Sequence, residues 1–298
     1  MTPDSRPQPQ RFWDTRAACN FIGGGTGTGL LVFAAVGATV GVPYFLPGLV
    51  GLAFVGLGLM MVWFEIGKPW RALNVFLRPQ TSWMSRESLA AVLLFLIGAV
   101  ALASAWPGVR LPWAMSSPVA PALLTALAGL GFLSCQLGMV YAVRGIPAWR
   151  QRTLIPLLGL SGLAEGSGLY LIFTVLSGRV LPGMLVIALG LITARALAWQ
   201  IYRTALDRSQ VPQLTVVAFE RIRKVFLLLG HVLPAVLLAV ALLRPEQAGP
   251  LVILAGAAVT VAGWLFKLVL ITRAACTRGV SLPAIPVRGG SATPVGTS

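Results

Sequence analysis

The chain has 298 residues, 57% of them hydrophobic and only 10% charged, with a formal net charge of +15. A soluble domain carries roughly a quarter charged residues, so this composition excludes a water-facing globular surface and points to a helical membrane protein. The apolar residues run in continuous blocks without alternation, which argues against a transmembrane β-barrel. The bases sit in short loops between those blocks, which favours membrane topogenesis over nucleic-acid binding.

About twenty apolar residues cross a bilayer, and eight such blocks are expected. A basic segment, residues 1–16, with Arg6, Arg11 and Arg16, precedes the first span, Ala17–Gly41. That span lacks a small-residue cleavage site followed by a polar domain, so it is read as retained. It carries Gly23-Gly24-Gly25-Thr26-Gly27-Thr28-Gly29, which looks like a phosphate loop but has no following Gly-Lys-Ser/Thr and no preceding strand. The overlapping GxxxG spacing predicts close helix packing, with a ligand-facing wall as a second, compatible role.

The second span is Tyr44–Gly67, followed by the long loop from Lys68 to Glu87. The third is Ser88–Trp106, the fourth Ala120–Val143, the fifth Leu154–Leu176 and the sixth Val180–Tyr202. The loop from Arg203 to Lys224 contains an apolar-basic stretch, Val211 to Lys224, expected as an amphipathic helix along the interface. The seventh and eighth spans are Val225–Leu243 and Pro250–Ile271. The membrane domain therefore covers 17–273, and the Gly-, Pro-, Ser- and Thr-rich tail within 274–298 is expected to be disordered.

Of the 23 basic residues, eighteen fall in the terminal segments and the even loops. Only Arg110, Arg179 and Arg244 lie on the other side, and Arg195 and Lys267 lie within spans. The positive-inside rule puts both termini and the even loops in the cytoplasm; a bacterial or archaeal cytoplasmic membrane is the expected location. Trp70, Trp83 and Trp149 fit an aromatic belt on the same side.

Ionisable residues inside spans are costly and mark functional candidates. Here they are Glu65, Glu87, Glu165, Arg195, His231 and Lys267, and most gather with Asn20 in the cytoplasmic half of the membrane. Each has a bland alternative: Lys267 is expected to snorkel, Glu165 and Arg195 to pair across neighbouring helices, His231 to be a satisfied interior imidazole, and Glu65 and Glu87 to sit in headgroup water. Cys19, Cys135 and Cys276 are scattered and form no metal or disulfide pattern. The single histidine excludes bis-histidine haem and leaves only His/Met ligation formally open, and the scattered cysteines could hold no iron–sulfur cluster, so an electron-handling role is expected to use a diffusible quinone without a redox metal on this chain.

The segments Asn20-Phe-Ile-Gly-Gly24, Glu65-Ile-Gly-Lys-Pro-Trp-Arg71-Ala-Leu-Asn74 and Ser82-Trp-Met-Ser-Arg-Glu87 resemble the membrane anchors of the dimethyl sulfoxide reductase and polysulfide reductase superfamily. That superfamily includes NrfD-type subunits, and the sequence looks closest to the anchor of phenylacetyl-CoA:acceptor oxidoreductases. The motifs cover the first third of the chain, and the eight-span length covers nearly all of it. The resemblance implies a haem-free anchor that exchanges electrons between menaquinone or ubiquinone and a ferredoxin-like iron–sulfur subunit, beside a molybdopterin catalytic subunit. The positions matching Glu65, Arg71 and Glu87 are implicated in quinol binding in the family. Glu65 stands where the dimethyl sulfoxide reductase anchors have His, so the proton-handling group is either Glu65 or His231.

Candidate proton-handling residues are therefore Glu65, Glu87 and His231. Candidate quinone-binding residues are Asn20, Gly24, Arg71, Trp83, Arg86 and Arg195, and no metal ligand is expected. A secondary transporter or proton-conducting subunit, using Glu165, Arg195 and His231, is the alternative. A reporter active only in the cytoplasm, fused after Ser298, is expected to give signal; activity of an externally active reporter at the same point would reverse the orientation.

Overall fold

The computed structural model describes residues 7–64, 74–108 and 117–278. Its α-helices are α1 (Thr15–Thr39), α2 (Phe45–Trp63), α3 (Trp83–Ser104), α4 (Val119–Ala142), α5 (Leu154–Leu176), α6 (Pro182–Arg208), α7 (Gln213–Leu227), α8 (Leu233–Leu243) and α9 (Ala248–Thr272). A π turn, Leu228–Val232, joins α7 to α8, so Gln213–Leu243 runs as one apolar rod. The described residues thus form eight helical units long and apolar enough to cross a membrane. The chain is an all-α, polytopic helical bundle.

Several helices start or end away from the expected positions, for local reasons. The third span begins at Trp83, five residues before Ser88, because the Ser82 hydroxyl accepts the Ser85 N–H at 3.3 Å and caps the helix. The amphipathic stretch in the sixth loop is no separate interfacial helix. Its apolar positions Thr215, Phe219, Ile222 and Phe226 recur at helical spacing and are buried, packing Phe219 and Phe226 on Trp199 and Phe266. Glu220 on its outer face pairs with Arg203 of α6 and, at 3.0 Å, with Arg223.

Both ends of the described chain lie at one end of the bundle. Gln10 N donates to the Ala275 carbonyl at 2.8 Å and Thr277 N to the Gln8 carbonyl at 2.9 Å. Ala274, Ala275 and Cys276, the first residues of the expected tail, are fully buried there. Trp13 stacks between Phe21 and Trp149. Trp149 is itself 1% exposed and donates to the Leu270 carbonyl at 3.1 Å, so it belongs to interior packing and not to an aromatic belt. Asp14 caps α1 by accepting from Arg16 N, and its hydrogen bond to the Arg16 side chain holds its carboxyl below the usual range.

The first helix is the axis of the bundle. Its most apolar stretch is 83% buried, against 33% for α2 and 28% for α3. Glycine spacing makes this possible. On one face, a Cβ at Gly23 or Gly27 would run into the Phe54 or Gly51 carbonyl of α2. On another, Gly29 faces Gly162 and Gly166 of α5, and Gly25 faces Gly162. Backbones meet directly, which in lipid replaces the missing hydrophobic drive for association.

Gly29→Val is expected to destabilise the α1–α5 contact by roughly 1–3 kcal/mol, because the neighbouring atoms are backbone and have no rotamer to escape into. Gly131→Ala, where nothing lies within 4 Å, is expected to be neutral. Thermal unfolding in detergent measures both.

Candidate functional site

Three buried polar clusters sit between these helices. The first joins α1, α3 and α4 near the end where residues 8–10 and 275–277 pair. Asn20 Nδ2 donates to Glu87 Oε1 at 3.1 Å. Gln136 Nε2 donates to the same carboxylate oxygen at 3.0 Å and to the Asn20 carbonyl at 3.1 Å. Asn20 Oδ1 and Gln136 Oε1 are left as buried acceptors without a donor among the described residues. Each such group is costly in an apolar interior and calls for a ligand or ordered water. Gly24 backs the cluster: its missing Cβ makes the room that the Gln136 amide fills.

Asn20 and Glu87 form the polar floor of a cleft of about 540 Å³ between α1, α2 and α3. Its walls include Leu59, Val62, Phe95 and Ala91, and its rim carries lipid-exposed Trp63, Met84, Val92 and Leu96. The cleft therefore opens sideways, toward the hydrocarbon. A smaller cavity of about 240 Å³, walled by Phe12, Trp13, Ala17 and Met139, touches the same Asn20 and Glu87 from the end of the bundle. Glu87 thus borders a lipid-side space and an end-side space at once.

The second cluster lies deeper. Lys267 Nζ and Glu165 Oε2 are 2.8 Å apart and both are essentially inaccessible. Thr26 donates to the same oxygen at 2.5 Å and accepts from Trp264 Nε1 at 2.9 Å. Lys267 therefore turns into the bundle and does not snorkel, since a buried carboxylate faces it. The partner of Glu165 is Lys267, not Arg195. Glu165 Oε1 and Ser161 Oγ, one turn apart on α5, remain without partners.

The third cluster is built on the π turn. Pro234 has no N–H, so the Gly230 carbonyl four residues earlier loses its helical donor. Arg195 Nη2 supplies one at 2.5 Å, and Arg195 Nη1 reaches the Val259 carbonyl at 3.4 Å. Arg195 Nε donates to His231 Nε2 at 3.2 Å, while His231 Nδ1 contacts the Phe226 carbonyl at 2.9 Å. A carbonyl only accepts, so the ring proton sits on Nδ1 and Nε2 is the acceptor. Among the described residues Arg195 has no ion-pair partner.

The sequence-derived candidates therefore separate. Asn20, Glu87 and Gly24 come together at the cleft. Arg195 and His231 come together elsewhere and line neither cavity. Trp83 and Arg86 stand at the start of α3, where the Arg86 guanidinium lies 4.6 Å over the Trp83 ring and donates to the Pro79 and Gln80 carbonyls at 2.8 Å. They shape the approach to α3 without lining the cleft. Glu65 and Arg71 lie outside the described residues. Gln136 is not among the sequence-derived candidates, because an uncharged side chain in the middle of a span carries no insertion penalty of the kind that marks an ionisable one, yet it is the one amide in a 24-residue apolar helix. Among the described residues, no three His, Cys, Asp or Glu side chains come together. No protein-family model and no curated protein matches this sequence.

Lys267→Met is expected to destabilise the protein by about 3–5 kcal/mol, because it strands the Glu165 carboxylate in an apolar interior. Adding Glu165→Gln is expected to restore most of that loss. A double-mutant cycle on detergent-solubilised protein reads the coupling directly.

Proposed function

We propose that this chain is the haem-free membrane anchor subunit of a molybdopterin oxidoreductase complex, exchanging electrons between a membrane quinone and an iron–sulfur partner subunit. The observation that carries this reading is the cleft: an apolar space open to lipid whose floor holds the Glu87 carboxylate and the Asn20 side chain, with the Gln136 amide hydrogen-bonded to them from behind. A quinone ring with an isoprenoid tail has that profile, an apolar body with two polar ends.

The side chains fit the proton chemistry that quinone and quinol require. Interconversion moves two electrons and two protons. Glu87 is placed to take or give a proton at a ring oxygen, and its contact with the end-side cavity gives that proton a way out of the bilayer. The Asn20 amide orients the carboxylate, and an amide oxygen accepts from a quinol hydroxyl. Glu65 and Arg71 lie outside the described residues and belong to this reading through the family resemblance of their segment. A cytoplasmic basic end would present the iron–sulfur and catalytic subunits to a cytoplasmic substrate, such as a CoA thioester like phenylacetyl-CoA. That arrangement favours quinone reduction.

Glu87→Gln, Glu65→Gln and Arg71→Ala are each expected to abolish quinone turnover by the intact complex while partner subunits still co-purify. Normal turnover in all three would overturn the site. Purification without molybdenum and iron–sulfur subunits would overturn the anchor assignment itself. The alternative, a proton-conducting or transport subunit, is favoured by the two deeper clusters; proton or solute flux in liposomes holding this chain alone, lost in Glu165→Gln, would support it.

A further inference from the structure

The loop between α4 and α5 and the end of α6 form a basic recess unrelated to the Asn20–Glu87 cleft. A cavity of about 670 Å³ is bordered by Arg144, Arg150 and Arg278, and an adjoining one of about 620 Å³ by Arg208; the two share Gln151. No acidic side chain lines either space. None of these four arginines is in an ion pair among the described residues.

The loop that carries Arg144 and Arg150 is anchored in the bundle. Ile146, Ala148 and Trp149 of the loop are buried, Trp149 is tied to the Leu270 carbonyl, and Tyr202 donates to the Ala148 carbonyl at 3.2 Å. Arg150 stacks 4.9 Å over the Tyr141 ring and donates to its carbonyl at 3.3 Å. Arg278 Nη2 donates to the Ser209 carbonyl at 3.3 Å and bridges the two cavities. Each of these guanidiniums keeps further donors to offer. Arg150 and Arg278 are thus held in place, Arg144 stands beside them on the same cavity, and guanidiniums outside ion pairs recognise phosphate oxygens by paired hydrogen bonds.

The depth and surroundings identify the phosphate. Arg144, Arg150 and Arg278 lie in the connections just outside α4, α5 and α9, and Arg208 is the last residue of α6, at headgroup level for a bundle of this length. Below the recess, α6 presents Leu197 and Ile201, 61% and 58% exposed and one turn apart, as an apolar ridge running toward the membrane centre. A charged head above an apolar track is the profile of a phospholipid. We propose that this recess is a binding site for one anionic phospholipid, its phosphate held by Arg144, Arg150 and Arg278 and an acyl chain lying along Leu197 and Ile201. The assignment is independent of the quinone reading.

The test uses the full chain, delipidated in neutral detergent, with phosphatidylglycerol, phosphatidylcholine and inorganic phosphate as separate probes. Native mass spectrometry is expected to retain one phosphatidylglycerol per chain, and the same lipid is expected to raise the melting temperature where the other two probes do not. An equal shift with phosphatidylcholine, or with inorganic phosphate alone, would overturn the lipid assignment. Replacing Arg144, Arg150 and Arg278 by Gln is expected to weaken retention on the order of a hundredfold, at roughly fivefold per arginine. Replacing Arg221, Arg223 and Lys224 by Gln removes equal charge from the same end and is expected to leave retention intact. Equal loss in both variants would show diffuse attraction and overturn the site. Should the first variant fold poorly, Leu197→Ser with Ile201→Ser reads the acyl track, and unchanged retention there would count against it.

Discussion

Everything in this bundle depends on how closely α1 approaches its neighbours. Lipid tails are as apolar as the helix surfaces, so no hydrophobic gain pulls spans together. Contact between backbones must supply the attraction, and only glycine at the crossing points permits it. Gly23 and Gly27 serve the α2 side, and Gly25 and Gly29 the α5 side. One helix thereby packs against several others, and the shell of α2, α3, α6, α7 and α8 faces lipid with much of its surface.

The same economy of volume houses the polar groups. Gly24 lies against the Gln136 amide, Gly25 against the Lys267 ammonium, Gly263 against the Glu165 carboxyl and Gly230 against the Arg195 guanidinium. In each case the absent Cβ leaves the space that a polar head occupies. Small residues and buried charges are thus two halves of one arrangement. Any larger residue at these glycines would press against a charged or amide group that has no water to retreat into.

The clusters differ in how completely they satisfy themselves. Arg195 meets His231 and two carbonyls, one of them released by Pro234, and so completes the hydrogen bonding of a distorted helix. Glu165 and Lys267 neutralise each other. The Asn20–Glu87–Gln136 group alone both leaves amide acceptors empty and borders open space. That incompleteness, at the floor of a lipid-side cleft, separates a candidate reaction site from structural polar packing.

Sequence by itself determined the number of spans, because twenty apolar residues and a polar break are local properties that a bilayer enforces directly. It also placed Asn20 and Glu87 among the polar residues near one membrane face, and GxxxG spacing announced the close packing of α1. Partner choice was another matter. Lys267 lies near a helix end and reads as a snorkelling side chain, until the fold puts Glu165 opposite it. Asn20 near the start of α1 and Lys267 near the end of α9 share a similar depth along their helices, yet lie in different clusters because depth fixes only one of three coordinates. Gln136 carries no charge to attract notice, and Trp149 has the sequence position of a belt residue but the burial of a core one. Rotation about each helix axis and the choice of neighbours are set by packing of all the spans together, so which polar groups meet, and which cavity they border, was decided only by the tertiary structure.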